Sequence, residues 1–419
     1  MLDRRHFLGA GAALSLAPFA PIAGAAMAQA PRAPVPTGLR AAGEADVLRR
    51  DLLNEPVILE SIEVLAVERQ FFVRAKDTSG REGVALANPR LMRTIHPIFN
   101  QRIAPLFAGR DARDLHRIQE DLEPHQLNYK WAGLPFWCAH AWAELAVLDL
   151  LGQVHGLSVA TMLGGAVRRE SGLYYASGDR ESSAEEVVEE LRGFMRDSGT
   201  RAVKFRLGAR LHRTAQSDAR DARLIPLARR ELGDDAILYA DANSSYDIDA
   251  AVYFGRMLQD QGYALYEEPV RFDDFAETAR VAEALDIPLA GGEQESSLRR
   301  FEAMIRDRVV DIVQPDILYF GGLTRAIRVA RMAAHAGIPA LPHISGGGFG
   351  FLNVLHFAAV VPNTTEYQEY KGDERVPHEV IGTGKPLRPE NGKLAIPQGP
   401  GLGVRFDPDM LGRATIVTA

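Results

Sequence analysis

The order of apolar and polar residues divides the chain into two parts with different patterns. From about residue 54 to 110, alternating apolar positions in VILESIEVLAVERQFFVRA and the turn DTSGREG predict a small α+β domain that opens on antiparallel strands. Residues 139–165 place leucines at helical spacing and end in glycines, which predicts a long helix. After residue 170, short apolar strands alternate with longer amphipathic helices, which is typical of parallel βα units.

Most of these later strands end in an ionisable residue. The strand ends are Asp241 in AILYADAN, Glu267 and Glu268 in ALYEEP, Glu293 in IPLAGGE, Asp316 in VDIVQPD, His343 in IPALPH, and Glu366 or Glu369 in TTEYQEY. The steps from Asp241 to Glu369 are 26, 26, 23, 27 and 26 residues, close to the length of one βα unit of a (β/α)8 barrel. The earlier strands GLYYAS and AVKFRLG bring the total to eight. In such barrels the carboxyl ends of the strands form the active-site rim.

A single acid after a strand is most often a helix cap, and that alternative fits any one of these residues. It does not explain three consecutive strands that end in carboxylates, followed by strands that end in Asp and His. Nor does it explain AVKFRLG, in which Lys204 and Arg206 are two residues apart and therefore point to the same face. Because two inward cations are costly without anionic partners, we expect all these side chains to converge on one site.

Asp241, Glu267 and Glu293 come from three adjacent strands, so their carboxylates can meet at one point. They would repel one another strongly unless a cation lies between them. Ligation by oxygen alone favours a hard ion, Mg²⁺ before Mn²⁺. Asn243, two residues past Asp241, could support the metal ligands without binding the metal itself.

A metal with cations on one side and a His/Asp pair on the other suits removal of a proton α to a carboxylate, because the resulting enediolate needs its charge stabilised. His343 is the expected base, and Asp316 would fix its tautomer and stabilise the imidazolium. A lone histidine before a glycine-rich loop could equally be structural or bind substrate. The aspartate one strand earlier favours the role as base.

These residues resemble the enolase superfamily, in the mandelate racemase-like subgroup of its mandelate racemase/muconate lactonizing enzyme family. The matching motifs are KFR, DAN, EEP, GGE, QPD and GIPALPHISGG, preceded by AELAVLDLLGQVHGLSVATMLGG, and the resemblance covers about residues 56–405. It implies an α/β fold, a modified TIM barrel (β/α)7β with an α+β N-terminal capping domain. It also implies Mg²⁺ on the three carboxylates and the Asp316–His343 dyad as a base. A glutamate on the last strand would contact the enediolate; we prefer Glu369, which keeps the regular step, and Glu366 stays open.

Arg206 departs from the family pattern. Family racemases have a second lysine at this position, as the base opposite the histidine, whereas arginine holds its proton too tightly for that role and suits a bidentate clamp on a carboxylate or enediolate. Lys204 could be a base, although in the family it more often holds the substrate carboxylate. We therefore expect one-base chemistry, dehydration of an acid sugar to a 2-keto-3-deoxy acid. A sugar-lactone cycloisomerase and a racemase or epimerase are the alternatives among enzymes; a non-catalytic periplasmic carboxylate-binding protein is the alternative outside them.

The N-terminus is typical of an export signal. Residues 1–30 contain Arg4 and Arg5 followed by Phe7 and Leu8, then a modest apolar run and small-residue cleavage candidates, which resembles a twin-arginine signal and predicts a periplasmic protein. An ordinary secretion signal or a membrane anchor is the alternative. We divide the rest into a linker or extension (31–53), a capping domain (54–170), a barrel with the active site (171–385) and a C-terminal segment that returns to the cap (386–419).

Composition excludes several kinds of partner. The net charge of −7 gives no sign of the basic patch that nucleic-acid binding requires. No segment after the signal offers the ~20 apolar residues of a membrane span. The single cysteine, Cys138, excludes an intrachain disulfide and a cysteine-based zinc cluster. The expected partner is a small carboxylate, an acid sugar or related hydroxy acid, and the family suggests a homo-oligomer.

Overall fold

The computed structural model describes residues 37–344, 350–372, 378–380 and 387–418. The predicted signal, residues 1–30, lies outside this range. The first described elements belong to the extension and to the cap. They are α1 (Leu39–Glu44), β1 (Leu59–Val67), β2 (Gln70–Asp77), β3 (Glu82–Ala87), α2 (Pro89–Ile98), α3 (Leu115–Leu122), α4 (Leu134–His155) and α5 (Val159–Met162). Short 3₁₀ turns cover Arg50–Leu52, Ala104–Leu106, Ala112–Asp114 and Asn128–Lys130, and one π turn covers Phe99–Ile103.

The cap is built on an antiparallel sheet in the order β14-β1-β2-β3, in which β14 (Thr415–Ile416) comes from the end of the chain. Strands β1 and β2 pair from Leu65 opposite Phe72 to Val67 opposite Gln70 across a tight turn. This agrees with the antiparallel strands predicted for the region. Helix α4 covers the sheet so closely that a Cβ on Gly83 of β3 would lie 2.1 Å from the backbone nitrogen of Leu150.

The barrel strands and helices alternate along the chain. They are β4 (Glu170–Ala176), α6 (Ala184–Ser198), β5 (Ala202–Arg206), α7 (Ala215–Leu232), β6 (Ile237–Asp241), α8 (Ile248–Asp260), β7 (Leu265–Glu267), α9 (Phe275–Ala284), β8 (Leu289–Gly291), α10 (Leu298–Arg306), β9 (Ile312–Val313), α11 (Leu323–His335), α12 (Phe351–Val360) and β10 (Tyr367–Tyr370). The parallel sheet runs in the order β10-β4-β5-β6-β7-β8-β9. The segment 340–343 lies beside β9 through bridges from Val313 to Ala340 and from Asp316 to His343. Eight strand positions and seven helices follow one another, which confirms the (β/α)7β barrel.

The chain after the barrel adds strands to both parts. The elements are β11 (His378–Val380), β12 (Lys393–Ala395), β13 (Val404–Phe406), α13 (Pro408–Gly412) and β14. Strand β12 pairs with β4 of the barrel, β13 with β11, and β14 with β1 of the cap. Residues 37–53, which we expected as an extension, pack on the barrel side: α1 contacts α11, and Leu39 and Leu53 are buried.

Strand parity explains how apolar and charged residues share the barrel. In β5, Val203 and Phe205 pack outward against the helices, whereas Ala202 joins the apolar filling of the barrel interior. Lys204 and Arg206 have the parity of Ala202 and therefore lie above that filling, near the carboxyl ends of the strands. The apolar layer thus supports the site from below.

Helix α4 joins the two parts. It is the one helix in the described residues that is long and apolar enough to span a membrane, but 89% of its most apolar stretch is buried inside the protein. Its Glu144 is fully buried and accepts hydrogen bonds from the Thr324 backbone N–H (2.8 Å), at the start of α11, and from Gln119 Nε2 (3.2 Å). Burial raises the pKa of Glu144 to about 8, although Thr324 acts in the opposite direction.

Candidate active site

Three carboxylates meet where β6, β7 and β8 end. Asp241, Glu267 and Glu293 are all buried, and each offers an oxygen that lies within 4.8 Å of those of the other two. Lys204 Nζ donates to both oxygens of Glu267, at 2.9 and 2.7 Å, and Gln314 Nε2 donates to Glu267 at 2.9 Å.

These residues fit a hard divalent cation. All three donors are carboxylate oxygens, the ligand type that Mg²⁺ prefers. Glu293 Oε2 is buried and receives no hydrogen bond within the described structure. Burial raises the pKa of Glu293, and the neighbouring Glu267 adds to this rise although His343 opposes it. A cation among the three oxygens would supply the missing partner and offset the repulsion.

The two cations of β5 lie on one side of this carboxylate cluster. Lys204 Nζ is 3.6 Å from Asp241 Oδ2 and 3.4 Å from Glu369 Oε1, and its side chain is fully buried. Arg206 pairs with Asp241, and its Nε donates to the Ser177 carbonyl at 3.1 Å. Burial raises the pKa of Glu267, but the Lys204 ammonium holds it below its usual range. The burial of both cations is therefore compensated by acids.

His343 and Asp316 lie on the other side. His343 Nδ1 and Asp316 Oδ2 are 2.6 Å apart, and Asp316 Oδ1 accepts from the backbone N–H groups of Leu318 and Tyr319, both at 2.8 Å. These bonds fix the aspartate, so Nδ1–H is the donor to it and Nε2 carries the free lone pair. Nε2 lies 3.2 Å from Glu293 Oε2, facing the cluster. The structure thus brings the predicted base to the predicted metal site.

The side chains of Glu369 and Glu366 face opposite sides of the last strand. Glu369 is fully buried and points into the site, with Oε2 3.8 Å from His343 Nε2, whereas Glu366 is exposed. Burial raises the pKa of Glu369, but Lys204, then Lys371 and His343, hold it well below its usual range. Of the two candidates, the structure places Glu369 at the site.

Lys371 is a site residue that the sequence analysis missed. Its Nζ lies 3.4 Å from His343 Nε2 and 3.4 Å from Glu369 Oε1, and it donates to the Ile344 carbonyl at 2.5 Å. The pKa of His343 is raised above its usual value. Burial lowers this pKa, but the carboxylates of Glu293 and Glu369 raise it by more, and the Lys371 ammonium opposes them. Its parity could have revealed it, because Lys371 is two residues past Glu369.

Glu268 and Asn243 lie beside the carboxylate cluster, each directly after or two residues after one of its members. Both adopt positive φ, 39° for Glu268 and 41° for Asn243, which is uncommon for residues other than glycine. Asn243 donates from its backbone N–H and its Nδ2 to Asp241, at 2.8 and 3.2 Å. Burial raises the pKa of Glu268 well above its usual value, and Glu293 adds to the effect. Burial and the neighbouring carboxylates thus favour the protonated form of Glu268, and Asn243 orients Asp241 as expected.

Arg180 also faces the site and was not predicted. It lies four residues after β4, donates to Asn243 Oδ1, and shares that atom with Arg206 Nη1, which is 3.3 Å away. No periodic pattern pointed to it, because loop residues past a strand end have no fixed facing.

The chain matches known proteins over most of its length. The family described as enolase C-terminal domain-like matches residues 186–410, more than half of the chain. The chain is similar to the arabinonate dehydratase of Saccharolobus solfataricus, with 30% identity over 267 residues, 62% of this chain and 67% of that protein. It is also similar to the D-galactarolactone cycloisomerase of Agrobacterium fabrum, with 30% identity over 282 residues, 64% of this chain and 71% of that protein.

A solved structure extends the match to both domains. The mandelate racemase/muconate lactonizing protein from Paracoccus denitrificans, complexed with magnesium, has a TM-score of 0.78 and 29% identity, and the match covers 86% of this chain and 99% of that one. A match of this extent is longer than the barrel and therefore reaches into the cap. The chain therefore belongs to the enolase superfamily, in its mandelate racemase and muconate lactonizing enzyme family.

Proposed function

We propose that this protein is a Mg²⁺-dependent enzyme that removes the proton α to a carboxylate and dehydrates an acid sugar to a 2-keto-3-deoxy acid. The observation that carries the proposal is the position of His343 Nε2, 3.2 Å from Glu293 of the carboxylate cluster, with the cations of β5 on the opposite side. Dehydratases and cycloisomerases among the relatives support acid-sugar chemistry of this general kind.

The metal would be held by Asp241, Glu267 and Glu293. When bound there, Mg²⁺ supplies positive charge that makes the α-proton of a carboxylate substrate more acidic. Lys204 and Arg206 hold the substrate carboxylate from their side, and as donors they stabilise the negative charge that develops on its oxygens.

His343 carries the proton. Its Nε2 takes the α-proton while Nδ1–H stays bonded to Asp316, which stabilises the imidazolium. The imidazolium then returns this proton to the β-hydroxyl as the bond from the β-carbon to oxygen breaks, so water leaves and His343 becomes neutral again. The enol that remains tautomerises to the 2-keto acid.

Arg206 favours this one-base route over racemisation. A two-base racemase needs a second group that takes and returns a proton on the opposite face, and arginine is not a residue type that acts as a base in proteins. Arg206 is instead engaged with Asp241 and with the Ser177 carbonyl. A clamp role is consistent with these contacts.

Cycloisomerisation of a sugar lactone is the second candidate. The Agrobacterium relative with that name is as similar to this chain as the dehydratase is, and the reaction also needs a single proton abstraction. A non-catalytic carboxylate-binding protein has no support among these relatives.

The test is a screen of acid sugars and their lactones with Mg²⁺, scored for 2-keto products and for exchange of the α-proton in D₂O. The expected result is keto-acid formation that requires Mg²⁺ and is lost in His343→Asn. Epimers with α-deuterium and no keto acid would contradict dehydration. Exchange that persists in His343→Asn would remove the proposed base.

We also propose, from the sequence alone, that the protein is exported to the periplasm by the twin-arginine route. The signal lies outside the described residues. Cell fractionation of the full chain and of an Arg4→Lys, Arg5→Lys variant tests this, and periplasmic protein at unchanged level in the variant would contradict it.

A further inference from the structure

Among the described residues, one cation of the site, Arg180, lies outside ion-pair distance of every acid. Lys204 and Arg206 each lie within ion-pair distance of buried carboxylates, and Lys371 is 3.4 Å from Glu369. Arg180 forms no ion pair within the described part of the chain, and its Nε is buried without a hydrogen-bond partner. A partly buried guanidinium in this state is costly unless an anion joins it.

The surroundings of Arg180 make the excess charge larger. Burial and the guanidinium groups of Arg206, Arg210 and Arg220 lower the pKa of Arg180, the Glu293 carboxylate raises it, and the net result is a pKa of about 9. Arg180 remains a cation at neutral pH, since even this lowered pKa is above 7. Arg206 and Arg220 are themselves paired with Asp241 and Asp221, so the positive charge that remains at the rim between β4 and β6 is that of Arg180 and Arg210.

Arg210 extends this positive region over the opening of the barrel. It is exposed, and both Arg210 and Leu211 have positive φ, 58° and 63°. The Leu211 backbone N–H donates to the Asn243 carbonyl at 3.0 Å, which ties the turn to the back of the metal cluster. The Arg210 charge also reaches Tyr319, whose ring centroid is 6.5 Å from that of His343.

We propose that Arg180, with Arg210 above it, binds a second anionic group of the substrate, so the preferred substrates are acid sugars with a carboxylate at both ends. The inference rests on the proposed function, which places the first carboxylate at the metal cluster with Lys204 and Arg206. A guanidinium binds a carboxylate with two parallel hydrogen bonds, and the unpartnered Nε of Arg180 is one donor available for them.

The inference is tested by binding in a His343→Asn background with Mg²⁺, where no turnover occurs. The probes are six-carbon aldarates, each paired with the aldonate of the same configuration, in which a hydroxymethyl group replaces the second carboxylate. Loss of a charged hydrogen-bonded pair costs roughly 30-fold in affinity. We expect Arg180→Met to weaken the aldarate by roughly 30-fold or more and the aldonate by less than about threefold, and Arg180→Lys to retain an intermediate affinity.

Arg213→Met is the matched control. Arg213 is on the loop that carries Arg210 but pairs with Asp218 and Asp247 at the surface, so its loss should leave both affinities within about twofold. Equal weakening of aldarate and aldonate in Arg180→Met would make Arg180 a positioning residue for Asn243 and overturn the inference. A parent that binds both probes equally, or an Arg180→Met variant that loses thermal stability with its probe preference intact, would overturn it as well.

Different results would overturn the proposed function and the second anion site. If the parent with His343 intact exchanges no α-proton from an aldarate that binds through Arg180, the proposed function fails and the second anion site stands. If exchange occurs at equal kcat/KM with aldarates and aldonates, and Arg180→Met changes neither, the function stands and the second anion site fails.

Discussion

Glu144→Gln should make the protein more stable at alkaline pH. Glu144 is buried in α4 beside the first turn of α11, and burial raises its pKa to about 8. A carboxyl group whose pKa is higher in the folded than in the unfolded chain binds more protons when folded. Its contribution is therefore fully present below the unfolded pKa, near 4.5, and is lost as the pH rises through about 8.

The size of the effect follows from the shift. Each pKa unit corresponds to about 1.4 kcal/mol, so ionisation of buried Glu144 costs at most about 5 kcal/mol once the pH exceeds 8. Between pH 5.5 and 8.5 the free energy of unfolding of the parent should fall by roughly 3 kcal/mol relative to the variant. Glutamine keeps an acceptor for the Thr324 N–H, and Gln119, whose Oε1 has no partner, can turn its amide to accept from the new NH₂.

The assay is thermal unfolding of both proteins at pH 5.5 and 8.5, at one scan rate and one Mg²⁺ concentration. We expect similar midpoints at pH 5.5 and a midpoint higher by roughly 5 °C for Glu144→Gln at pH 8.5. Glu366→Gln, the same change on an exposed side chain, should show no such pH-dependent gain. A constant difference between parent and Glu144→Gln at both pH values would contradict the prediction, because it would mean that folding does not change the ionisation of Glu144.

Three further predictions concern the site and the cap. Arg206→Lys should gain epimerisation, measured as loss of optical purity in recovered substrate, whereas racemisation by the parent would overturn the one-base interpretation. Lys371→Met should raise the pKa of His343, because Lys371 lowers it, so the acidic limb of the kcat/KM profile should move to higher pH; an unmoved limb would show that Lys371 does not act on the base. Gly83→Ala should lower the unfolding free energy by about 2 kcal/mol or more, measured as a lower midpoint, since its Cβ would meet the Leu150 nitrogen.

Much of the barrel could be predicted because its order is periodic. A step of about 26 residues between strand ends is set by the length of a strand, a helix and two loops, so the spacing of the strand ends is visible in the amino-acid sequence. The inward facing of Lys204 and Arg206 followed from strand parity alone. The same rule predicted that only one of Glu366 and Glu369 could point inward, but the choice required the pairing of β10 with β4, which sets Glu369 beside Tyr174.

Other features depended on contacts between distant parts of the chain. Glu144 lies in an apolar helix, and nothing local indicates that its carboxylate meets the start of α11, 180 residues later. Arg180 and Lys371 become site residues through loop conformation and through neighbours from other strands. Strand parity could have indicated Lys371, but Arg180 is recognised only when the charges around it can be compared in three dimensions.

The pairing of β14 with β1 has a consequence for synthesis. One edge of the cap's sheet is covered by Thr415 and Ile416, and Ile416 lies 351 residues after its partner Leu65 along the chain. An open strand edge is a template for unwanted pairing, so the nascent cap stays exposed to this hazard until residues 415 and 416 have left the ribosome. The cap therefore cannot reach its final form as an independent N-terminal unit, although domains generally fold in order of synthesis.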